Sequence, residues 1–197
     1  MGKDKESAML RSSLVLLLLA YAASASAKEF DYNYFSLSYG NIEFDDINVD
    51  GDGFGLAGSY AINEDFHVFA GYEAAGLDFG IDASTLGIGI GYHTSLTPVV
   101  DLVASVSYQY IDFDAPGLGD ADDNGIGLGV GLRFAASEEI ELNAGISYVD
   151  FSDSGDDTGF GVGGLYSFNE AFALGLSADW SDDATSYAIE GRFYFGR

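Results

Sequence analysis

The sequence predicts an all-β protein that folds as a closed, antiparallel, up-and-down transmembrane β-barrel. Three observations lead to this fold class. Apolar residues alternate with small or polar residues along most of the chain, which is the period of a β-strand. The second face of each alternating segment is rich in glycine. The connections alternate between short turns and longer polar stretches, as in barrels that cross a membrane.

The N-terminal 27 residues have the features of a cleaved secretory signal peptide. Basic residues precede an apolar run at 14–23, and Ala25-Ser26-Ala27 provides a small-x-small cleavage site. A transmembrane helix is the alternative, but a run of about ten residues falls well short of the roughly 20 that a helix needs to span a bilayer. We therefore expect Sec export, with residues 1–27 as the signal peptide and 28–197 as the mature barrel.

Ten segments of the mature chain carry a continuous apolar face. We predict ten strands, with eight as the alternative because small barrels of this kind also occur with eight. The apolar faces run through residues 35–39, 54–62, 66–72, 86–92, 100–110, 126–134, 140–148, 160–168, 172–180 and 187–195.

The face opposite the apolar residues distinguishes a membrane barrel from a soluble sandwich. On this face, glycine occupies every second residue of the chain at 87–91, 127–131 and 159–163. A sandwich would bury its apolar faces between two sheets. Glycine instead fits the inside of a narrow barrel, so we expect the apolar face to contact lipid. Aromatic residues gather near both ends of the strands, as at the two interfaces of a bilayer.

The connections predict the orientation of the barrel. Short turns are centred near residues 64, 96, 138 and 170, which we expect on the periplasmic side. Longer polar loops are expected on the extracellular side, and eighteen Asp and Glu residues fall in them. These loops are predicted at 42–52, 75–84, 112–125, 150–158 and 181–185.

The charge and composition exclude several classes of protein. The chain has 7 Lys+Arg against 32 Asp+Glu, for a formal net charge of −25, which would repel a phosphate backbone and argues against a nucleic-acid partner. Its 48% hydrophobic content excludes a disordered chain. The absence of cysteine excludes disulfides, thiolate metal sites and cysteine nucleophiles.

With these features, the chain resembles the small outer-membrane β-barrel proteins of Gram-negative bacteria, the OmpA/OmpX-like and porin-family surface proteins. The C-terminal strand at 187–195 is similar to the aromatic signal read by the barrel-assembly machinery, although Gly196 and Arg197 follow the last phenylalanine. The resemblance implies an outer-membrane location, contact with lipid and lipopolysaccharide, assembly by that machinery, and a monomer. It specifies no activity.

Two segments match the first half of a calcium-binding loop. The candidate ligands are Asp46, Asn48 and Asp50 in the first segment, and Asp120, Asp122 and Asn124 in the second. Alternating oxygen ligands before a glycine suit Ca²⁺, but the bidentate Glu at the twelfth position is missing from both. Weak Ca²⁺ binding is one interpretation, and an acidic turn is the other, because Asp, Asn and Gly favour turns.

Nothing in the sequence indicates an enzyme or a resident cofactor. Two G-x-G-x-x-G matches lie inside predicted strands, where a dinucleotide site would need a following helix. His67 and His93 lie beside short turns, away from the acidic loops, so no catalytic pair is expected at the extracellular rim.

Seven charged residues alternate with the apolar face and are expected in the lumen. Paired, they would fill the barrel, and the protein would then be a structural or surface-interaction barrel. The alternative is a small, cation-preferring diffusion pore, because the carboxylates outnumber the arginines. The seven residues are Glu73, Asp101, Arg133, Glu141, Asp179, Glu190 and Arg192.

Overall fold

Ten antiparallel strands close into a barrel in the computed structural model, which describes residues 30–44, 49–115, 119–182 and 184–196. Each strand pairs with its neighbours in sequence, and β1 also pairs with β10, so ten rather than eight strands form the barrel. The predicted signal peptide lies outside the described residues. The strands are β1 (Tyr34–Phe44), β2 (Val49–Ala61), β3 (Phe66–Leu77), β4 (Ile81–Thr97), β5 (Val100–Ala115), β6 (Gly119–Ala135), β7 (Ile140–Phe151), β8 (Gly155–Ser167), β9 (Phe172–Trp180) and β10 (Ala184–Tyr194).

The predicted apolar faces point away from the barrel axis. Leu37 and Leu176 are 57% and 66% exposed, whereas the lumen-facing Arg133 and Glu141 are 9% and 2% exposed. This arrangement is the reverse of a soluble protein and fits a barrel surrounded by lipid. Outward-facing aromatic rings also contact one another across strands, as Phe35 and Phe193 do at 5.1 Å between centroids. No helix among the described residues is long and apolar enough to cross a membrane.

One end of the barrel, which we call the turn end, carries the connections 62–65, 98–99, 136–139 and 168–171. Three of these turns share one device, in which a side-chain oxygen accepts two backbone N–H groups. Asn63 Oδ1 accepts from Asp65 and Phe66, both at 2.9 Å, and Asn169 Oδ1 and Ser137 Oγ accept two N–H groups in the same way in their turns. The turn predicted near residue 96 lies slightly later, because β4 continues to Thr97.

The opposite end, which we call the acidic end, differs from the prediction of long loops. Much of the predicted loop at 112–125 is paired strand, since β5 continues to Ala115 and β6 begins at Gly119. The alternation continues there with its polarity reversed, because Asp112 follows the outward-facing register and Phe113 the lumen-facing one. A prediction based on which face is apolar therefore mistakes the part of a strand that extends beyond the bilayer for a loop. The connection between β3 and β4 is also short, a 3₁₀ turn at Asp78–Gly80.

The glycine-rich strands make room for side chains of their neighbours. A Cβ at Gly129 would lie 2.7 Å from Ser105 Oγ, and one at Gly127 would lie 2.6 Å from Ser107 Oγ. Because real Cβ atoms do not approach this closely, Ser105 and Ser107 would have to move if Gly129 or Gly127 carried a side chain.

Candidate functional site: the barrel lumen and its acidic end

The structure places all seven charged residues predicted for the lumen on the inner face of the barrel. Asp101, Arg133 and Glu141 are nearly inaccessible and lie close to the turn end. Glu190 and Arg192 lie on β10, and Glu73 and Asp179 line the more open part of the lumen. The charges therefore divide into a packed group at the turn end and a water-accessible group beyond it.

Residues 30–33, which we call the N-terminal strap, cross the mouth of the turn end. At one side, Ala61 N donates to Asn33 Oδ1 at 2.9 Å. At the other side, Arg133 Nη1 donates to the carbonyl oxygen of Asp31 at 3.2 Å. Between these anchors, the Tyr32 hydroxyl donates to Asp101 Oδ2 at 3.1 Å. The strap thus connects β2 with β5 and β6 across the opening, and sequence reasoning missed it.

A buried ion pair lies directly against the strap. Arg133 donates through Nε to Glu141 Oε1 at 2.7 Å and through Nη2 to Glu141 Oε2 at 3.0 Å. The two side chains are 11% and 3% exposed. The guanidinium also stacks on the rings of Tyr32 and Phe30, with 4.5 and 5.0 Å from Cζ to the centroids. The planar guanidinium group can form two hydrogen bonds with a carboxylate in its plane and stack on aromatic rings with its face, and Arg133 does both.

Three rings pack together beside the ion pair. The Tyr32 ring lies 3.7 Å from the His93 ring and 4.7 Å from the His67 ring, between centroids. Burial raises the pKa of the Tyr32 hydroxyl above its usual value, so this group stays protonated and remains a donor to Asp101. His67 and His93, both predicted beside short turns, thus pack against the N-terminal strap at the turn end.

Beyond the packed group, the lumen opens into water. Two cavities of about 430 and 400 Å³ share the lining residues Ser177, Asp179 and Glu190. Glu190 is paired with Arg192 Nη2 at 2.9 Å, whereas Glu73 and Asp179 form no ion pair among the described residues. The cavity of about 430 Å³ extends down to Tyr32, Arg133 and Glu141 of the packed group, and the carboxylates of Glu73 and Asp179 further along form no ion pair among the described residues.

The predicted calcium ligands lie on strands or outside the described residues. Asp46 and Asn48 fall in the undescribed segment 45–48, and the side chain of Asp120 is likewise not described. Asp50, Asp122 and Asn124 belong to β2 and β6, so the expected loops around them are wrong at these positions. Within the described part, no group of three or more acidic or histidine side chains is placed to hold a metal ion. Calcium binding stays a prediction.

Sequence reasoning also misses the role of Asp123, which lies in the predicted loop at 112–125. This lumen-facing residue is 6% exposed. Its carboxylate accepts from the Ser154 hydroxyl at 2.6 Å and from the backbone N–H groups of Asp153 and Ser154. Asp123 therefore holds the turn between β7 and β8, and nothing in its local sequence separates it from the acidic neighbours.

The sequence matches the family described as outer membrane protein beta-barrel domain over residues 13–168. The chain belongs to this family. It is a small outer-membrane β-barrel, and the resemblance noted from the sequence is confirmed. No curated protein sequence matches the chain.

Solved structures similar to this outer-membrane barrel share its fold at low sequence identity. The KdgM porin is 13% identical with a TM-score of 0.47, and the match covers 82% of this chain and 99% of that one. The N-terminal β-barrel domain of Pseudomonas aeruginosa OprF is 12% identical, with a TM-score of 0.45 and coverage of 82% and 98%. The β domain of the Bordetella autotransporter BrkA is 12% identical, with a TM-score of 0.50 and coverage of 83% and 99%. At these identities the similarity concerns the fold alone.

Proposed function

We propose that this outer-membrane barrel has a structural or surface-interaction role and is not an open pore. The observation that supports the proposal is that the N-terminal strap and the buried Arg133–Glu141 pair lie across the mouth of the turn end. We infer that the ion pair and the aromatic rings at this end close the lumen to water and ions. The strap is held from three sides, which supports closure as the resting state.

The outer surface of the acidic end supports an interaction role. Along the strand pairs, Glu43 lies opposite Asp50, and Asp112 lies opposite Asp122. Like charges in directly opposed positions destabilise a sheet, unless cations from the medium compensate them. We propose that this surface faces the outside of the cell and meets lipopolysaccharide through divalent cations.

The remaining expectations are part of the same proposal. Sec export, assembly by the barrel-assembly machinery and a monomeric state fit a small closed barrel with complete strand pairing. A catalytic role is not proposed, because His67 and His93 pack against Tyr32 at the turn end, away from the accessible carboxylates.

A cation-preferring diffusion pore is the second candidate. Glu73 and Asp179 favour it, since both are exposed to the lumen and have no cationic partner among the described side chains. This function would require the N-terminal strap to leave the mouth of the turn end.

Ion flux through vesicles containing the refolded mature protein tests the proposal. We expect wild-type vesicles to retain K⁺ and Cl⁻ gradients as protein-free vesicles do. The double variant Tyr32→Ala with Arg133→Ala removes the side chains that fill the mouth, and it should release K⁺ faster than Cl⁻. Tyr60→Ala is the matched control, because Tyr60 faces outward and is 60% exposed. Rapid flux through the wild-type protein would contradict a closed barrel.

A further inference from the structure

The cavity at the acidic end combines two chemistries in one concave space. Its volume of about 400 Å³ lies within the roughly 300–1,000 Å³ of small-molecule sites in proteins. Carboxylates line its inner part. Apolar side chains line the part nearer the acidic end. This is unusual for this barrel, because its strands within the membrane have their apolar residues on the outer face.

The apolar part, which we call the collar, consists of lumen-facing residues near the acidic end of three strands, β1, β3 and β5. Its members are only half-buried although they point into the barrel. Because the cavity is open to water, the apolar surface of these side chains is hydrated. An apolar group of a ligand could cover that surface and release the water. The collar residues are Ile42, Phe44, Leu77, Ile111 and Phe113.

The carboxylates below the collar lack neutralising groups. The only Lys or Arg side chains among the described residues are Arg133 and Arg192, and these pair with Glu141 and Glu190. Glu73 and Asp179 are left over, and both are exposed and line this cavity. Gly55 lies beside residues of both neighbouring strands here, since a Cβ there would be 2.5 Å from Ser38 Oγ and 3.4 Å from Glu73 Cγ.

We propose that this cavity binds a small organic cation with an apolar body, such as an aliphatic or aromatic primary amine. Its ammonium group would lie between Glu73 and Asp179, and its apolar body would lie against the collar. The two excess negative charges disfavour an anion. A bare inorganic cation would leave the collar hydrated, and a neutral apolar molecule would leave the carboxylates without a partner.

Equilibrium binding of phenethylamine to the refolded protein in lipid nanodiscs tests the inference, with saturation-transfer NMR as the readout. Wild-type protein should bind phenethylammonium about tenfold more tightly than the isosteric 2-phenylethanol, the factor expected from one charge-assisted hydrogen bond. The combined variant Glu73→Gln with Asp179→Asn should lose that preference. Phe113→Ala should weaken the binding of both compounds.

Glu43→Gln provides the matched control, because it removes a carboxylate from the outer surface of the same end. It should bind like wild type. Equal binding of the amine and the alcohol would overturn the proposal, as would unchanged binding in the combined variant or an equal loss in the Glu43 control. Binding is measured at equilibrium, so the outcome does not depend on whether the lumen conducts.

Discussion

Replacing Glu141 with glutamine should destabilise the barrel more than any other single removal of a negative charge. Glu141 is 2% exposed and forms two hydrogen bonds with Arg133, at 2.7 and 3.0 Å. Without the carboxylate charge, the guanidinium stays buried and loses its one ion pair among the described residues. Breaking a buried pair from one side costs about 3–5 kcal/mol, so we expect a loss of that order in the free energy of unfolding.

Urea unfolding in lipid vesicles measures this loss, with the fluorescence of Trp180, the single tryptophan, as the reporter. Adding Arg133→Met to Glu141→Gln should recover part of the stability, because the unpaired charge is then removed as well. Glu138→Gln is the control, since Glu138 is an exposed turn residue, and it should stay within about 0.5 kcal/mol of wild type. A loss below about 1 kcal/mol in Glu141→Gln would refute the reasoning, because it would mean that Arg133 is solvated rather than paired.

Three further predictions concern the acidic end and the lumen wall. Phe79 has φ of 63° and is 83% exposed. Asn adopts this left-handed conformation more readily than Phe, so Phe79→Asn should stabilise the barrel by roughly 0.5 kcal/mol in the same assay. A loss of stability would contradict the assigned backbone strain. Gly125→Ala would bring a Cβ within 2.6 Å of the Asp150 carbonyl oxygen and should lower the free energy of unfolding by about 1–3 kcal/mol. Gly58→Ala, whose Cβ would lie 3.7 Å from its nearest neighbour, should be tolerated. Equal effects of the two variants would be inconsistent with this packing. Millimolar Ca²⁺ should raise the thermal midpoint of wild-type protein but not of Asp122→Asn, and an unchanged wild-type midpoint would exclude the predicted calcium binding.

The period-2 alternation was sufficient to predict the barrel because lipid outside and a narrow lumen inside impose opposite demands on successive residues. It failed at the acidic end, where the same strands leave the bilayer and the demands reverse. Asp112 and Phe113 occupy the register of an ordinary strand, but the outward position is acidic and the inward one apolar. A search for alternation that ignores which face is apolar would have found these strand ends.

The lumen charges could be assigned to a face but not to partners. Arg133 pairs with Glu141 through the register of β6 and β7, which brings Arg133 opposite Asn143 and Glu141 opposite Ala135. The short turn at 136–139 sets that register, but the alternation of the strands alone does not indicate which lumen-facing carboxylate Arg133 contacts. The N-terminal strap was missed for a related reason: four residues before β1 are too few to show a period, and their contacts with β2, β5 and β6 are all long-range.

Single-channel recording from the refolded mature protein in planar bilayers tests most directly whether the turn end is closed. Closure by the strap and the Arg133–Glu141 pair predicts no unitary current above that of protein-free bilayers. Stable unitary steps from the wild-type protein would contradict the account, and a reversal potential that shows cation selectivity would then favour the diffusion pore.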